Sequence, residues 1–547
     1  MNVAERLTRQ ALANPAALAI ASPTGSHRQG TQRSYHTLTM ADLDRRSSAI
    51  AAGFQSMGIG PGKRIAMLVR FGEDFICLVF ALLKTGATMV LIDPGMGRKN
   101  LIRCLEATNP DGFVAIPAAY AVARLLKSRF PNAKHNVVVG RWIPGSRTPT
   151  LSQIERGAPG DYRNPITDSS AESAIIFTTG STGPPKGVLY SHQTFLSQID
   201  LIAQGYGITP GGTDLSCFPL FGLFNAVMGT TTILPDMDPT RPADVDPPRL
   251  LDAIEQWEIS QAFGSPALWT KMGNYCRAND RSMRSLRRVL SAGAPVPPRV
   301  LQSIRDAIHL DGVMYTPYGS TEALPIASIE SREVLEETAA LTSVGRGTCV
   351  GSKFPQIDWK IIRIRDDAMF RLDEAEEVPV GEIGELIVTG PVISKQYVTR
   401  TEQNALHKLS DGERIWHRMG DVGYLDARDR FWFCGRKAHR VVTPSTTIFT
   451  EPVEAIANTH PEIYRSALVG TGERPNQQPL LILEPWSKNC DQSLVQRGVR
   501  NILKDNPVTS GIQNITFYPT KLPTDIRHNS KIFREQLTDW ANHQKGH

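Results

Sequence analysis

The stretch Ala174-Ile175-Ile176-Phe177-Thr178-Thr179-Gly180-Ser181-Thr182-Gly183-Pro184-Pro185-Lys186-Gly187 constrains this chain more than any other. The apolar run from Ala174 to Phe177 reads as a buried strand. It empties into a loop of hydroxyls and glycines closed by one lysine. Glycine lets the backbone turn with φ > 0 and approach an anion closely. Exposed N–H groups, hydroxyls and the Lys186 ammonium supply the donors that a triphosphate needs. The loop is not a Walker A loop, because no Gly-Lys-Ser/Thr follows at the required spacing. A plain surface turn has similar composition; the strand before the loop and the Pro-Pro-Lys after it favour a phosphate site.

A chain of 547 residues is too long for one core, so two or more domains are expected. Hydrophobic residues at 41% and charged residues at 21% suit a soluble globular enzyme. The formal charge of +6 is small, and no Lys/Arg block is interleaved with aromatics; anionic cofactors, not nucleic acid, are the expected partners. Cys77, Cys104, Cys217, Cys276, Cys349, Cys434 and Cys490 are scattered and never spaced C-x-x-C, which points to a reducing cytosol without zinc or a disulfide frame. No secretory signal and no uncharged apolar run of about 18 residues is present, so a cytoplasmic protein without a membrane span is expected.

Taken in order, the chain alternates helical and strand patterns. A helix runs from Leu38 to Met57, a glycine turn leads to a strand at Arg64–Val69, and a helix at Asp74–Thr85 leads to a strand at Thr88–Ile92. This alternation implies a parallel, layered α/β body. Asp93–Arg98 closes the unit as a turn, and residues 141–170 read as a flexible connection. His192 stands at a helix start, where a structural role is expected. Cys217–Asn225 and Gln261–Trp269 are apolar and aromatic, as core segments are. Gly381–Val388 reads as a turn and strand.

The phosphate loop closely resembles the T-S/T-G-S/T-T-G-x-P-K-G signature of the adenylate-forming superfamily, which includes acyl-CoA synthetases, peptide-synthetase adenylation domains and luciferases. The resemblance covers nearly the whole chain. It implies a large layered α/β body with a β-barrel-like portion, residues 1–435, followed by a small mobile α+β domain, residues 436–547. It also implies ATP and Mg²⁺ as cofactors. Thr178, Thr179, Gly180, Ser181, Thr182, Gly183 and Lys186 would hold the phosphates, with Thr178 also at the reacting centre. Ser291–Pro295 and Tyr315–Glu322 resemble the adenine segments. From them Gly293, Ala294, Pro295, Tyr318, Gly319, Ser320 and Thr321 would contact the nucleotide. The Tyr318 ring offers a purine a stacking surface worth about 1–3 kcal/mol in nucleic-acid sites. Glu322 offers the hard oxygen that Mg²⁺ prefers. His417–Asp426 resembles the T-G-D-x-G motif, with Asp421 positioned to bind the ribose diol. Arg436 matches the Gly-Arg before the family hinge, and Lys531 matches the catalytic lysine, a point cation for the carboxylate and α-phosphate.

Departures from the pattern narrow the function. The Asp or Lys usual at the hinge is Ala438, and Val441–Thr447 lacks the glycines that line a CoA tunnel, which argues against thioester formation. Many acyl-CoA synthetases carry His where Gly222 stands, implying a roomier acyl pocket here. The glycine-less hinge segment, Asp93–Arg98 and Leu522–Arg534 together resemble the β-lactone synthetases of bacterial long-chain olefin biosynthesis. Their substrate would be a 2-alkyl-3-hydroxy fatty acid, their product a β-lactone, and an assembly with other olefin-pathway enzymes is implied. His528, or Arg527 beside it, is a candidate for taking the hydroxyl proton. A long-chain fatty acyl-CoA ligase and a catalytically inactive adenylate-binding scaffold remain open alternatives.

Overall fold

The computed structural model describes residues 1–25, 32–141, 145–158, 162, 164–178, 184–218, 222–525 and 531–544. Its first layered unit follows from the helix–strand alternation. The helix Met40–Ser56 starts where Thr39 Oγ1 accepts from the Asp42 amide (3.1 Å) and the Asp42 carboxylate accepts from the Thr39 amide (3.0 Å). These bonds satisfy orphan donors at the helix start. The helix Glu73–Thr85 is buried on all sides from Phe75 onward and stops at Gly86, which takes the left-handed conformation (φ +73°) that glycine adopts without steric cost. Even Lys84 is buried there, paired with Asp44 at 2.8 Å.

The strands behind these helices form a six-stranded sheet in the order Val137–Val138, Gly112–Ala115, Arg64–Leu68, Thr88–Ile92, Glu172–Thr178, Lys186–Ser191. All pairs are parallel except the last. A second, 14-stranded sheet has a parallel centre that includes Gln261–Gly264, Arg288–Ser291 and Val313–Ser320. Beyond Val313–Ser320 it continues antiparallel through Ala323–Glu330, Thr348–Lys353, Arg430–Arg436, Ile415–Leu425 and Gly384–Thr389 to Asp358–Ile362. The strand path has two ends, so among the described residues the barrel-like portion is an open arm and no closed barrel forms. Within residues 141–170 the structure adds a short helix, Leu151–Arg156, capped by Thr150.

A separate hydrophobic core begins at Val441 and draws on Val453, Leu468, Leu481 and Val499. It sits under the sheet Ile463–Thr471, Gln478–Pro485 and Asn514–Phe517 and the helices Thr450–Ala457 and Gln492–Lys504. The glycine-free segment before it is a closed hairpin, Val441–Val442 against Thr447–Ile448, with the Thr446 amide donating to Thr443 Oγ1 at 3.0 Å. Several contacts fasten this unit to the body. Thr348 Oγ1 donates to Glu451 at 2.7 Å, Asn506 donates to the Val344 carbonyl at 3.0 Å, and the Arg299 guanidinium lies 4.7 Å from the Trp486 ring centroid. The connection itself is clamped: Lys437 donates to Glu385 at 3.0 Å, and Arg440 pairs with Asp366 at 2.5 Å. Six of the seven cysteines are buried and all are free thiols. Among the described residues no helix is long and apolar enough to cross a membrane.

Glu385 and Arg418 face each other with no solvent exposure, 2.6 Å apart, inside the antiparallel arm. Breaking such a buried pair costs about 3–5 kcal/mol, and because Lys437 still donates to Glu385 at 3.0 Å the loss of Arg418 falls at the lower end of that range. Arg418→Met should therefore lower body stability by about that amount in urea unfolding followed by tryptophan fluorescence. Arg414→Ala, which breaks a solvated pair with Asp358, should cost less than about 1 kcal/mol.

Candidate nucleotide site

The strands around the phosphate loop are fixed by register: Thr178 stands opposite Lys186 and Phe177 opposite Gly187 in an antiparallel pair. Thr179, Gly180, Ser181, Thr182 and Gly183 lie outside the described residues, and for Thr178 the backbone alone is described. Lys186 Nζ donates to His407 Nε2 at 3.2 Å and lies 4.7 Å from the Tyr397 ring centroid. Burial, with the nearby Arg436 and Arg400 charges, holds its ammonium below the ordinary lysine range, while Glu322 opposes that shift.

Tyr397 joins this lysine to the predicted metal ligand. Its hydroxyl donates to Glu322 Oε1 at 2.8 Å, and both side chains are buried. Burial by itself raises the Glu322 carboxyl. The Lys186 charge, the Tyr397 hydroxyl and the Lys408 charge outweigh it, and the net shift is downward, so Glu322 is ionised. Among the described residues no cluster of three or more His, Cys, Asp or Glu side chains could hold a metal. One ionised carboxylate beside a phosphate site nevertheless fits Mg²⁺, which takes one or two carboxylates and completes its shell with phosphate oxygens and water.

The segment Ile393–Thr399 stitches these parts together. Val188 pairs with Tyr397, Ala323 pairs with Ile393, and the Gly187 amide donates to Thr399 Oγ1 at 2.8 Å. Lys408 is buried beneath it, donating to the Ser394 carbonyl with its Nζ 5.5 Å from the Tyr397 ring centroid. Burial brings the Lys408 ammonium down to about 7. Tyr397, His407 and Lys408 were not among the residues singled out by sequence; the available signal was the adjacent His407-Lys408 pair between Leu406 and Leu409.

On the nucleoside side, Asp421 and Arg436 stand opposite each other on paired strands. Arg436 Nη1 donates to Asp421 Oδ1 at 2.6 Å and Tyr318 Oη donates to Oδ2 at 2.5 Å, so three predicted residues meet in one cluster. Tyr318 packs its ring near Phe431 with centroids 5.8 Å apart. Gly319 (φ +158°) follows it, where a Cβ would sit 2.5 Å from the Ala323 carbonyl oxygen. Among the described residues the buried Ser320 hydroxyl meets no hydrogen-bond partner, and it stands at the place assigned to the nucleotide. The Thr321 carbonyl accepts from Tyr190 at 2.5 Å. Gly293, Ala294 and Pro295 follow the strand Arg288–Ser291, and Tyr318–Thr321 end its parallel neighbour Val313–Ser320. Open α/β sheets bind ligands at such carboxyl ends of strands.

Lys531 belongs to the C-terminal unit. It is exposed, and its amide donates to Asp525 Oδ1 at 2.8 Å while the Asp525 amide returns a bond to its carbonyl at 3.0 Å. Arg527 and His528 lie outside the described residues. Arg534, three residues on, donates to buried Glu454 at 2.9 Å and anchors the segment. His192 is buried, its Nδ1 accepting from the Val3 amide at 3.4 Å, a structural role.

An apolar cavity lies behind the phosphate strand, lined by Ile176, Tyr190, Ile199, Leu223, Phe224 and Met228. Leu223 and Phe224 come from the apolar segment Cys217–Asn225, so that segment lines a cavity, whereas Leu268 and Trp269 of Gln261–Trp269 pack into the core as expected. Gly222 does not widen the pocket. A Cβ there would meet Ser216 Oγ at 2.5 Å, so the space is already filled.

Residues 7–398 match the family model described as AMP-binding enzyme. The chain is 43% identical over 548 residues to an olefin beta-lactone synthetase of Stenotrophomonas maltophilia, covering 99% of this chain and 98% of that protein. It is 42% identical to a protein of the same description from Xanthomonas campestris pv. campestris, covering 100% and 98%. Among solved structures, the amide bond synthetase McbA from Marinactinospora thermotolerans superposes with a TM-score of 0.77 at 21% identity, covering 98% of this chain and 99% of McbA. The anthranilate CoA ligase AuaEII in complex with anthranoyl-AMP superposes with a TM-score of 0.81 at 17% identity, covering 100% and 98%. The fold is that of the adenylate-forming enzymes, and the chain belongs to the AMP-binding enzyme family.

Proposed function

We propose that the chain is an AMP-forming ligase that adenylates a 2-alkyl-3-hydroxy fatty acid and closes it to a β-lactone in long-chain olefin biosynthesis. The observation that carries this reading is the near-full-length likeness to two olefin beta-lactone synthetases. The closed, glycine-free hairpin at Val441–Ile448 supports a route without CoA. We place the enzyme in the cytoplasm, beside enzymes that supply the hydroxy acid and consume the lactone, and divide it into a body, residues 1–435, and a lid, residues 436–547.

In the first half-reaction a carboxylate oxygen attacks the α-phosphorus of ATP, and pyrophosphate leaves. Such chemistry is mostly positioning and charge neutralisation. Lys186 and the loop from Thr178 to Gly183 hold the β- and γ-phosphates. Gly293–Pro295 and Tyr318–Thr321 frame the base, and Asp421 with Arg436 orients the ribose. Glu322 holds Mg²⁺, which neutralises phosphate charge when bound. Lys531 supplies a cation to the carboxylate and α-phosphate. In the second half-reaction the substrate's own C3 hydroxyl oxygen attacks the acyl carbonyl, the bond to AMP breaks, and the hydroxyl proton passes to a base, which we assign to His528. Ring strain opposes closure. It is offset by the adenylate leaving group and by an intramolecular advantage that reaches about 10⁵ M or more in well-oriented systems. The apolar cavity by Ile199 and Met228 accommodates an alkyl arm.

Incubation with MgATP and a racemic 2-alkyl-3-hydroxy acid should yield AMP and a β-lactone by NMR, with or without CoA. An acyl-CoA formed only when CoA is added would overturn the reading in favour of an acyl-CoA ligase. Lys531→Ala should slow AMP formation by about 10²–10³, the loss typical of removing one group that stabilises developing charge. Glu322→Gln should raise the half-saturating Mg²⁺ concentration about tenfold, about 1.4 kcal/mol, when pyrophosphate release is followed. Ile199→Trp should shorten the alkyl chain accepted, read as a shift in kcat/KM across a chain-length series.

A further inference from the structure

Lys186 has a seat that the family signature does not describe. Among the described residues no carboxylate lies within ion-pair distance of its ammonium; its partners are the His407 imidazole at 3.2 Å and the Tyr397 ring face at 4.7 Å. His407 Nδ1 faces the Arg418 carbonyl at 3.4 Å, which assigns the ring proton to Nδ1 and leaves the Nε2 lone pair for the lysine. Burial first, and then the Lys186 charge, bring the His407 pKa down to about 3, so the ring is neutral.

The two parts of the seat are built as one piece. The Asn404 side chain accepts from the Tyr397 amide at 2.8 Å and donates to the Tyr397 carbonyl at 3.1 Å, and His407 closes the same short helix, Asn404–His407. His417 donates to the His407 carbonyl at 3.1 Å. A carboxylate at this place would orient the ammonium equally well but would cancel its charge. An imidazole lone pair and an aromatic face orient it and leave the charge whole.

We infer that His407 is a positioning residue for the nucleotide, holding Lys186 ready for the β- and γ-phosphates without neutralising it. The inference rests on the reading of Lys186 as the phosphate lysine under the proposed function.

Calorimetric titration with magnesium α,β-methylene-ATP, together with the KM for ATP in hydroxy-acid-dependent ATP–pyrophosphate exchange, tests it. His407→Ala should weaken analogue binding and raise the KM about tenfold, the scale of one hydrogen bond to a charged group. His407→Gln, which keeps a neutral acceptor, should recover most of that loss. His407→Glu should bind more weakly than His407→Ala, because its carboxylate pairs with Lys186 and removes the charge that the phosphates need. A thermal melt reports folding, and if His407→Ala does not fold, the Gln variant should still bind close to wild type and clearly more tightly than the Glu variant. Equal binding by the Gln and Glu variants, or wild-type binding by all three, overturns the role of His407. Lys186→Met separates the two readings. Weakened binding by Lys186→Met with unaffected His407 variants removes His407 alone, whereas unaffected binding by Lys186→Met removes the phosphate role of Lys186 as well.

Discussion

The hydroxyl of Tyr397 on the Glu322 carboxylate, 2.8 Å long, is the bond on which the candidate site depends. Lys186 starts the edge strand of the six-stranded sheet, and Glu322 sits between Val313–Ser320 and Ala323–Glu330 of the other sheet. Nothing in the local sequence of either strand brings them together. The brace Ile393–Thr399 does so by pairing with both strands, and Tyr397 fills the space between their charges. A tyrosine suits this position because its ring lies beside two ammonium groups while its hydroxyl satisfies a buried carboxylate.

The arrangement also separates charge by purpose. Asp421 is committed to Arg436 and Tyr318, whereas Glu322 receives a neutral hydroxyl and feels its cations at longer range. A carboxylate in a direct ion pair is a poorer metal ligand than one held by a hydroxyl. The two acids thus occupy distinct electrostatic settings, as the nucleoside and metal roles proposed for them require.

Much of this was legible in the sequence, for identifiable reasons. The strand before the phosphate loop was readable from four apolar residues, Asp421 and Arg436 from short motifs on strands that pair in register, and Glu322 from the motif that follows Tyr318. The helices ended near the expected residues because Thr39 and Gly86 are strong local signals. Tyr397, His407 and Lys408 were not legible, since they lie in an isolated bridge, a four-residue helix and a three-residue strand, elements too short to read from pattern, and their partners in sequence are more than 200 residues away for Lys186 and 75 away for Glu322. Gly222 was misread as open space because a missing side chain says nothing about what fills its place, here Ser216. The short helix within 141–170 was hidden by the turn-rich composition around it, although Thr150 and Gln153 form a capping box.

The clamped connection between body and lid has a consequence for the timing of the reaction. Lys437 is tied to buried Glu385, Arg440 to Asp366, and Arg299 lies against Trp486 across the same boundary. An enzyme that must admit a second substrate between its half-reactions breaks and remakes such ties in every cycle. On the proposed chemistry the second nucleophile arrives already attached to the first substrate, so one closing stroke serves both bond-making steps. On that proposal the fastenings need not be broken between the two steps, and the reactive adenylate would stay covered until the ring has formed.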